Sequence, residues 1–338
     1  MSEETNFLDL SMMNAAELFS DAIADYIPKN EIRPKVLYRA AGDTYILVEY
    51  GEMTLDLNLT FRVYALDKAL KALCLKGLNE TAPGVRSLLV HYNNLELSLH
   101  DLLHHLKEIE TTLPPLGKAE VPSRIINLPI AYRERWTKEA VKKYMNSVRT
   151  KAPYLPDNVE FIARCNDLKV KDVVTYHTAT KHMVLALGDV YLGAPCAVPL
   201  DPRRRLVVPK YNPARMWTPE GAVGIGGSYV CIYPMESPGG YQLIGRTLSI
   251  WNTHQTSPSF KDAPWLLRPF DRIQFEEVTE AEIEELREKM LSGNYKPKIE
   301  EGIFNLEKHN FFCDSVREEV EKFKKKQKEA ISRWTEDY

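Results

Sequence analysis

The sequence has no strong excess of either charge. Its 338 residues carry 44 lysines and arginines against 47 acidic residues, a net charge of −3. A nucleic-acid-binding surface usually shows as a clustered basic excess, so this balance argues against a nucleic-acid partner. The chain contains no run of about 18 apolar residues, and we expect no membrane span. Its start lacks a basic stretch followed by a long apolar one, so no secretory signal is predicted.

Cysteines are few and widely spaced. Their number is odd and no CxxC pair is present, so neither a disulfide framework nor a zinc site is predicted. This pattern is typical of reduced thiols, and we expect a cytoplasmic protein. The five cysteines are Cys74, Cys165, Cys196, Cys231 and Cys313.

Motifs of several common enzyme classes are also missing. The sequence has no GxxxxGK[ST] phosphate loop, no HExxH zinc motif and no GxSxG nucleophile elbow. The glycines from Gly221 to Gly227 do not match GxGxxG and lie in a strand–turn–strand pattern, which argues against a dinucleotide site. His104 and His105 are adjacent on a predicted helix and diverge by about 100°, so they cannot chelate one ion in the usual way. No metal site is predicted.

The apolar pattern predicts an α+β first domain over residues 35–120. Four segments have the character of strands, and residues 56–75 and 98–113 have the 3.6-residue apolar spacing of helices. Mixed strands with two helices on one side are typical of a ferredoxin-like α/β sandwich. Residues 1–34 are interpreted as an N-terminal extension, with helical spacing over residues 14–27.

The second half of the chain has a different pattern. Residues 121–172 are interpreted as a helical and irregular connecting segment. Residues 173–300 alternate short strands with Gly and Pro turns, which is typical of a β-barrel. Thr279 and Glu282 have the spacing of a capping box at the start of a helix. Residues 301–338 are predicted to form a C-terminal extension with a highly charged helix.

The residues that can carry chemistry are concentrated between His177 and Thr247. Glycines in turns let the backbone approach a ligand and offer N–H groups. Arginines offer forked donors for a carboxylate or a planar ureido group, and tyrosines can donate to an oxyanion. These residue types suit a planar, anionic, carboxylated ligand. A second interpretation stays open, in which the glycines and prolines shape barrel turns and the arginines pair with surface acids.

The order of motifs in this block resembles that of a known family. The steps include Leu187-Gly-Asp-Val-Tyr-Leu-Gly193, Lys210-Tyr-Asn-Pro-Ala-Arg215, Val223-Gly-Ile-Gly-Gly227 and Ile244-Gly-Arg-Thr247. Together with Tyr38-Arg-Ala-Ala-Gly-Asp43 upstream, they resemble subunit 1 of allophanate hydrolase and the carboxyltransferase region of urea carboxylase. The related branch of 5-oxoprolinase subunits and kinase inhibitors usually has Gly-Phe-x-Pro-Gly-Phe before Tyr-Leu-Gly, and this sequence does not.

The resemblance implies a fold, a reaction and a set of site residues. The fold is a ferredoxin-like domain followed by a cyclophilin-like β-barrel, and the reaction transfers a carboxyl group from carboxybiotin to an amide nitrogen of urea or guanidine. His177 is a candidate base, although an isolated histidine in a predicted strand is more often a structural hydrogen bonder. The catalytic candidates are His177, Tyr191, Lys210 and Arg215. The candidates for binding substrate or biotin are Arg203, Asn212, Gly226, Gly227, Tyr233, Gly239, Gly240 and Arg246.

The resemblance also implies partners. The sequence contains no biotinylation motif, no ATP-binding domain and no second carboxyltransferase half. We therefore expect a second carboxyltransferase half, a biotin carrier and an ATP-dependent biotin carboxylase to be supplied separately, and this chain to be inactive by itself. Two other functions stay open: a component of an ATP-using 5-oxoprolinase that opens a ring without biotin, and a non-catalytic inhibitor of a sensor kinase.

Overall fold

Two hydrophobic cores form in different parts of the chain, one in the first 119 residues and one in the remainder. A computed structural model describes residues 22–188 and 191–335. Its contacts divide the chain into two units, Met1–Ala119 and Glu120–Tyr338. Each unit buries its own set of aliphatic and aromatic side chains. None of the helices within the described ranges is long and apolar enough to cross a membrane.

The first unit is a five-stranded antiparallel sheet with two helices. The strands run in the order β1-β2-β3-β5-β4. Alternation of apolar residues sets the buried face, so that Ile46, Val48 and Tyr50 of one strand all point into the core. The sheet and helices confirm the predicted ferredoxin-like sandwich. The elements are β1 (Ile23–Ile27), β2 (Val36–Ala40), β3 (Tyr45–Tyr50), α1 (Leu57–Ala72), β4 (Leu78–Pro83), β5 (Ser87–Tyr92) and α2 (Leu99–Thr112).

The helical prediction for residues 14–27 is wrong over its last part. Ile23–Ile27 forms β1, which pairs antiparallel with β2. Tyr26 and Ile27 are buried in this position. Pairing with a neighbouring strand outweighs the local apolar spacing, because β-branched and aromatic residues pack well on a sheet. The rest of the predicted helix lies outside the described residues.

A buried ion pair links the two helices of the first unit. Nη2 of Arg62 on α1 lies 2.6 Å from Oε2 of Glu110 on α2, and both side chains are almost fully buried. The hydroxyl of Tyr50 on β3 also donates to Glu110. Charges removed from water need such partners, because an unpaired one is costly.

We expect Arg62→Met to destabilise the first unit by about 3–5 kcal/mol, because it leaves the Glu110 carboxylate buried without its partner. Urea unfolding followed by circular dichroism measures the change. The double variant Arg62→Met/Glu110→Leu should recover part of the loss, since it removes the uncompensated charge. Equal destabilisation by the double variant and by Arg62→Met would contradict this explanation.

The second unit is a closed seven-stranded barrel. Its sheet runs in the order β14-β11-β12-β9-β8-β15-β7, and β14 also pairs with β7, which closes the barrel. The barrel confirms the predicted fold. The strands of this unit are β6 (Glu120–Pro122), β7 (Ile125–Tyr132), β8 (His182–Leu187), β9 (Pro195–Pro199), β10 (Arg215–Thr218), β11 (Ala222–Gly226), β12 (Tyr229–Ile232), β13 (Ser237–Gly239), β14 (Gln242–Thr247), β15 (Arg272–Glu277), β16 (Ile299–Glu300) and β17 (Ile303–Asn305).

Helices surround the barrel. Residues 121–172 contribute β7 to the barrel itself and side chains of two helices to its core, so the segment is part of the barrel unit and does more than connect two domains. The predicted capping box is present, since the Thr279 hydroxyl accepts from Glu282 N and the Glu282 carboxylate accepts from Thr279 N. The helices are α3 (Arg135–Ser147), α4 (Asn158–Cys165), α5 (Val170–Thr178), α6 (Glu280–Leu291), α7 (Leu306–Ser315) and the charged α8 (Arg317–Thr335).

His177 lies on α5 and not on the predicted strand. The helix begins where the carboxylate of Asp172 accepts a hydrogen bond from the backbone N of Lys169, at 3.1 Å. Val173, on the same helix, packs into the barrel core.

Candidate functional site

The centre of the candidate site is Arg215, the first residue of β10. Its side chain is 1% exposed. Nη1 donates to the carbonyl of Tyr241 at 2.6 Å, Nε and Nη2 both lie 3.3 Å from Oγ1 of Thr218, and Nη2 lies 3.4 Å from the hydroxyl of Tyr233. The guanidinium carbon also lies 4.5 Å from the centre of the Tyr211 ring. Neutral oxygens and one aromatic face therefore hold the cation.

No carboxylate lies within ion-pair distance of Arg215 among the residues that the structure describes. A buried arginine normally has an acidic partner, because removing a charge from water is expensive. Arg215 therefore presents a fixed positive charge that its own surroundings do not neutralise. Such a group is suited to bind an anion by charge-assisted hydrogen bonds.

Tyr233 supports Arg215 from the end of β12. Its ring is fully buried, and burial raises the pKa of its hydroxyl to about 12. The hydroxyl accepts a hydrogen bond from the backbone N of Tyr241 at 3.4 Å, in addition to the one from Arg215. A neutral hydroxyl that accepts two donors fixes the position of the guanidinium without neutralising it.

The glycines of the motif make room for these tyrosines. A Cβ on Gly239 would lie 2.2 Å from the Tyr233 hydroxyl, and a Cβ on Gly226 would lie 2.6 Å from the Tyr241 ring. Gly227 has φ +60°, the left-handed conformation that glycine adopts without strain, at the turn between β11 and β12. A Cβ on Gly240 would make only ordinary van der Waals contacts. Close packing of the protein's own side chains therefore accounts for Gly226 and Gly239.

We expect Gly239→Ala to displace Tyr233 and loosen Arg215, because the added methyl would overlap the hydroxyl. Overpacking of this kind costs about 1–3 kcal/mol. The neighbouring variant Gly240→Ala is the control, since its nearest contact would be at 3.6 Å. Thermal unfolding of the two proteins measures the difference. Equal stabilities would show that the chain relaxes around Gly239 and does not need a glycine there.

Arg215 also lines a cleft of about 400 Å³. Much of the opposite wall comes from α3, through side chains one helical turn apart. Nζ of Lys143 lies 3.6 Å from the centre of the Trp217 ring, and Met216 at the edge of the cleft is 75% exposed. The cleft thus combines a cation at its base with a flat aromatic wall. The lining residues are Ala140, Lys143, Tyr144, Asn146, Ser147, Arg215, Met216 and Trp217.

Lys210 and Asn212 lie on the segment that leads into β10. Nζ of Lys210 is 4.5 Å from the centre of the Tyr241 ring. The backbone carbonyl of Asn212 accepts hydrogen bonds from Nη1 of Arg149 at 2.7 Å and from the Tyr154 hydroxyl at 3.1 Å. Both side chains are exposed. These two predicted residues therefore lie near Arg215 along the chain, with their side chains open to solvent.

Two of the predicted arginines are paired with acids. Arg203 donates to Asp201 and also to Glu319 on α8, and the hydrogen bonds to Asp201 raise its pKa. Arg246 donates through Nε to the carbonyl of Glu220 at 2.8 Å and lies 3.8 Å from its carboxylate. For these two residues the geometry agrees with the structural interpretation that the sequence left open.

Tyr191 does not line the Arg215 cleft. Its side chain is 40% exposed, and its carbonyl accepts a turn hydrogen bond from Ala194 at 2.9 Å. The turn is held against the barrel at Gly193, where a Cβ would lie 2.4 Å from the Trp251 ring. The catalytic role of Tyr191 stays a prediction.

His177 lies in a buried aromatic cluster. Its Nδ1 is 2.7 Å from the Tyr132 hydroxyl, and its ring centre lies 4.6 Å from that of His182 and 4.4 Å from that of Phe275. Burial lowers the pKa of His177 well below its usual value and lowers that of His182 to about 3. Within the described chain, His177 contacts neither Arg215 nor the cleft. This geometry is that of a structural hydrogen bonder.

The two histidines predict acid sensitivity of the second unit. Both stay neutral in the folded state, whereas in the unfolded chain each takes up a proton near pH 6.5. Their contribution is therefore unchanged above about pH 6.5, and stability falls as the pH drops below that value, by up to ~1.4 kcal/mol per pH unit for each histidine. For His182 the fall ends near its folded-state pKa of about 3. Urea unfolding at pH 7.5 and pH 5.0 measures the slope.

His182→Leu should reduce that slope, because one of the two buried proton acceptors is gone. The exposed His100, changed to Gln, is the control and should leave the slope unchanged. A slope unaffected by His182→Leu would locate the acid sensitivity elsewhere.

The residues of α3 that line the Arg215 cleft do not belong to any of the motifs found in the sequence. Lys143 and Tyr144 come from a helix about 70 residues before Arg215, and only the fold brings them together. Their spacing from Ala140 is that of one helix face, which is a detectable but unspecific signal. Thr218 and Tyr211 lie inside the motif block, but their residue types alone do not distinguish them from their neighbours.

The fold and the site define a class of protein. A ferredoxin-like sandwich precedes a closed seven-stranded barrel, which is the fold implied for the carboxyltransferase family. Beside the barrel, a buried arginine lines a cleft. The family pattern described as carboxyltransferase domain, subdomain C and D, matches residues 36–261. The chain belongs to this family.

The similar proteins are of two kinds. Urea amidolyase of Lachancea kluyveri is 42% identical over 310 residues, which cover 91% of this chain and 17% of the relative. The crystal structure of Kluyveromyces lactis urea carboxylase has a TM-score of 0.85 at 40% identity, covering 92% of this chain and 28% of that one. A 5-oxoprolinase subunit of Bacillus subtilis is 25% identical, covering 73% of this chain and 95% of the relative. The chain thus spans less than a fifth of the length of the Lachancea relative.

Proposed function

We propose that this chain is a carboxyltransferase component of a biotin-dependent carboxylase that acts on urea or guanidine, and that it works with separate partner chains. The observation that carries the proposal is the buried, uncompensated charge of Arg215 at the base of the cleft. The similarity to urea amidolyase and urea carboxylase supports the choice of reaction.

The residues present fit the group that this chemistry needs. Carboxybiotin, carried on another protein, would supply the carboxyl group as a planar anion. The charge of the Arg215 guanidinium would attract an anionic oxygen, and the Trp217 ring lines the same cleft. Fixed donors that stabilise developing negative charge are a large source of rate enhancement, because they need no reorganisation during the reaction.

Proton transfer is the part of the proposed reaction for which His177, the candidate base, is badly placed. The acceptor nitrogen of urea must lose a proton as it takes up the carboxyl group. Within the described residues, His177 is too deeply buried and has no contact with the cleft. We propose that the base belongs to the second carboxyltransferase half.

A reconstituted system tests the proposal. We expect Arg215→Lys to lower the rate of urea or guanidine carboxylation by about 100-fold or more, since a forked donor is lost where charge develops. ATP-dependent carboxylation of the biotin carrier should be unchanged, because that half-reaction takes place on another protein. Carboxylated product and carrier carboxylation are measured separately, in the presence of the second half, the carrier and the biotin carboxylase.

Arg203→Lys is the matched control. Its guanidinium is paired with Asp201 and Glu319, so carboxylation should stay within about threefold of the unchanged protein, as for most surface substitutions. Circular dichroism checks that both variants fold. A loss of activity with Arg203→Lys and none with Arg215→Lys would refute the assignment, as would the absence of any product from the complete set.

A role in a 5-oxoprolinase is the second candidate, because the Bacillus relative is matched over 95% of its length. Hydrolysis of 5-oxoproline with the partner chain and ATP separates it from the carboxyltransferase. The kinase-inhibitor function predicts instead that the chain captures a sensor kinase and that no mixture carries out carboxyl transfer.

A further inference from the structure

A second concave site lies in the barrel unit, between the segment before β15 and the segment that follows α6. The cleft has a volume of about 390 Å³ and shares no lining residue with the Arg215 cleft. Most of its wall lies beyond residue 261, where the family pattern ends. It is lined by Arg124, Pro258, Ser259, Asp262, Ala263, Trp265, Leu266, Arg268, Lys296, Pro297 and Ile299.

Of the charged side chains that line this cleft, one is paired with an acid and the others are not. Arg124 at the inner wall donates to both carboxylate oxygens of Asp271, at 2.9 and 2.5 Å, so its charge is neutralised. Arg268 and Lys296 are exposed, and their side chains form no ion pair with any acid in residues 22–188 and 191–335. Asp262 forms no ion pair within those ranges either. The two unpaired cations, Arg268 and Lys296, outnumber the one unpaired carboxylate, Asp262, so the cleft has a net positive charge.

One wall is flat and aromatic. Trp265 is 44% exposed, and its ring centre lies 6.1 Å from that of Trp251, which supports it from behind at an angle of 33°. The exposed part of the Trp265 ring offers a planar apolar surface on which a ligand can stack. The hydroxyl of Ser259 in the same wall is buried and has no hydrogen-bond partner within the described part of the chain. It can donate to an anionic oxygen.

We propose that this cleft binds a small organic anion with a planar apolar body. The anionic group would lie between Arg268 and Lys296, and the planar body would stack on Trp265. The volume is at the lower end of the range of about 300–1,000 Å³ that is usual for small-molecule sites, which favours a compact ligand. The site is separate from the carboxyltransferase cleft, so it does not depend on the proposed function.

Calorimetric titration of the full chain with 2-naphthoate tests the proposal, with the neutral 2-naphthalenemethanol as the parallel probe. We expect saturable binding of the carboxylate and at least tenfold weaker binding of the alcohol. Arg268→Gln and Trp265→Leu should each weaken binding of the carboxylate about tenfold, and Asp262→Asn should strengthen it, because it removes the repelling charge.

Arg333→Gln, on the exposed face of α8, is the matched charge control and should leave the affinity unchanged. Thermal unfolding of every variant shows whether a loss of binding comes from misfolding. Equal affinity for the acid and the alcohol would overturn the proposal, as would binding that Arg268→Gln does not weaken. Binding lost in Arg215→Lys and kept in Arg268→Gln would place the ligand in the other cleft and also overturn it.

Discussion

The barrel unit is built around a guanidinium that has no acidic partner in the described chain. Burying Arg215 in an apolar interior is unfavourable unless every donor finds an acceptor, because both charge and hydrogen bonds are withdrawn from water. The Tyr241 carbonyl, the Thr218 hydroxyl and the Tyr233 hydroxyl supply those acceptors. Thr218 lies on the same strand as Arg215, and Tyr233 and Tyr241 lie on either side of β13, the strand that pairs with β10. The position of the charge therefore depends on how these neighbouring segments pack.

The glycine motif follows from this requirement. The side chains of Tyr233 and Tyr241 pack against Gly239 and Gly226, where a Cβ would overlap them. The glycine motif that suggested direct ligand contacts thus makes room for the two tyrosines, and the Tyr233 hydroxyl accepts a hydrogen bond from Arg215. Arg203 and Arg246 show the contrast, since acids hold them and they need no such frame.

Much of the fold could be predicted from the sequence, because it depends on local patterns. Alternating apolar residues defined β3 and β5, and the 3.6-residue spacing defined α1 and α2. The secondary structures predicted for Ile23–Ile27 and at His177 were wrong, because pairing or packing with distant residues decides the local structure there. Within the site, Arg215, Tyr233 and Gly239 lie in one motif block and come together. Lys143 and Trp217 meet only because α3 packs beside β10, which no local pattern reveals.

The same geometry explains why the proposed carboxyl transfer needs a partner. Fixed donors stabilise developing charge far better when water is excluded, because the effective dielectric constant falls. The Arg215 cleft is lined at its edge by Met216, which is 75% exposed, so its mouth is open to solvent in this chain. A second half that covers Met216 and Trp217 would exclude water and strengthen the field of Arg215, and it would also bring the missing base. On the proposed function, assembly thus completes both the electrostatics and the proton transfer.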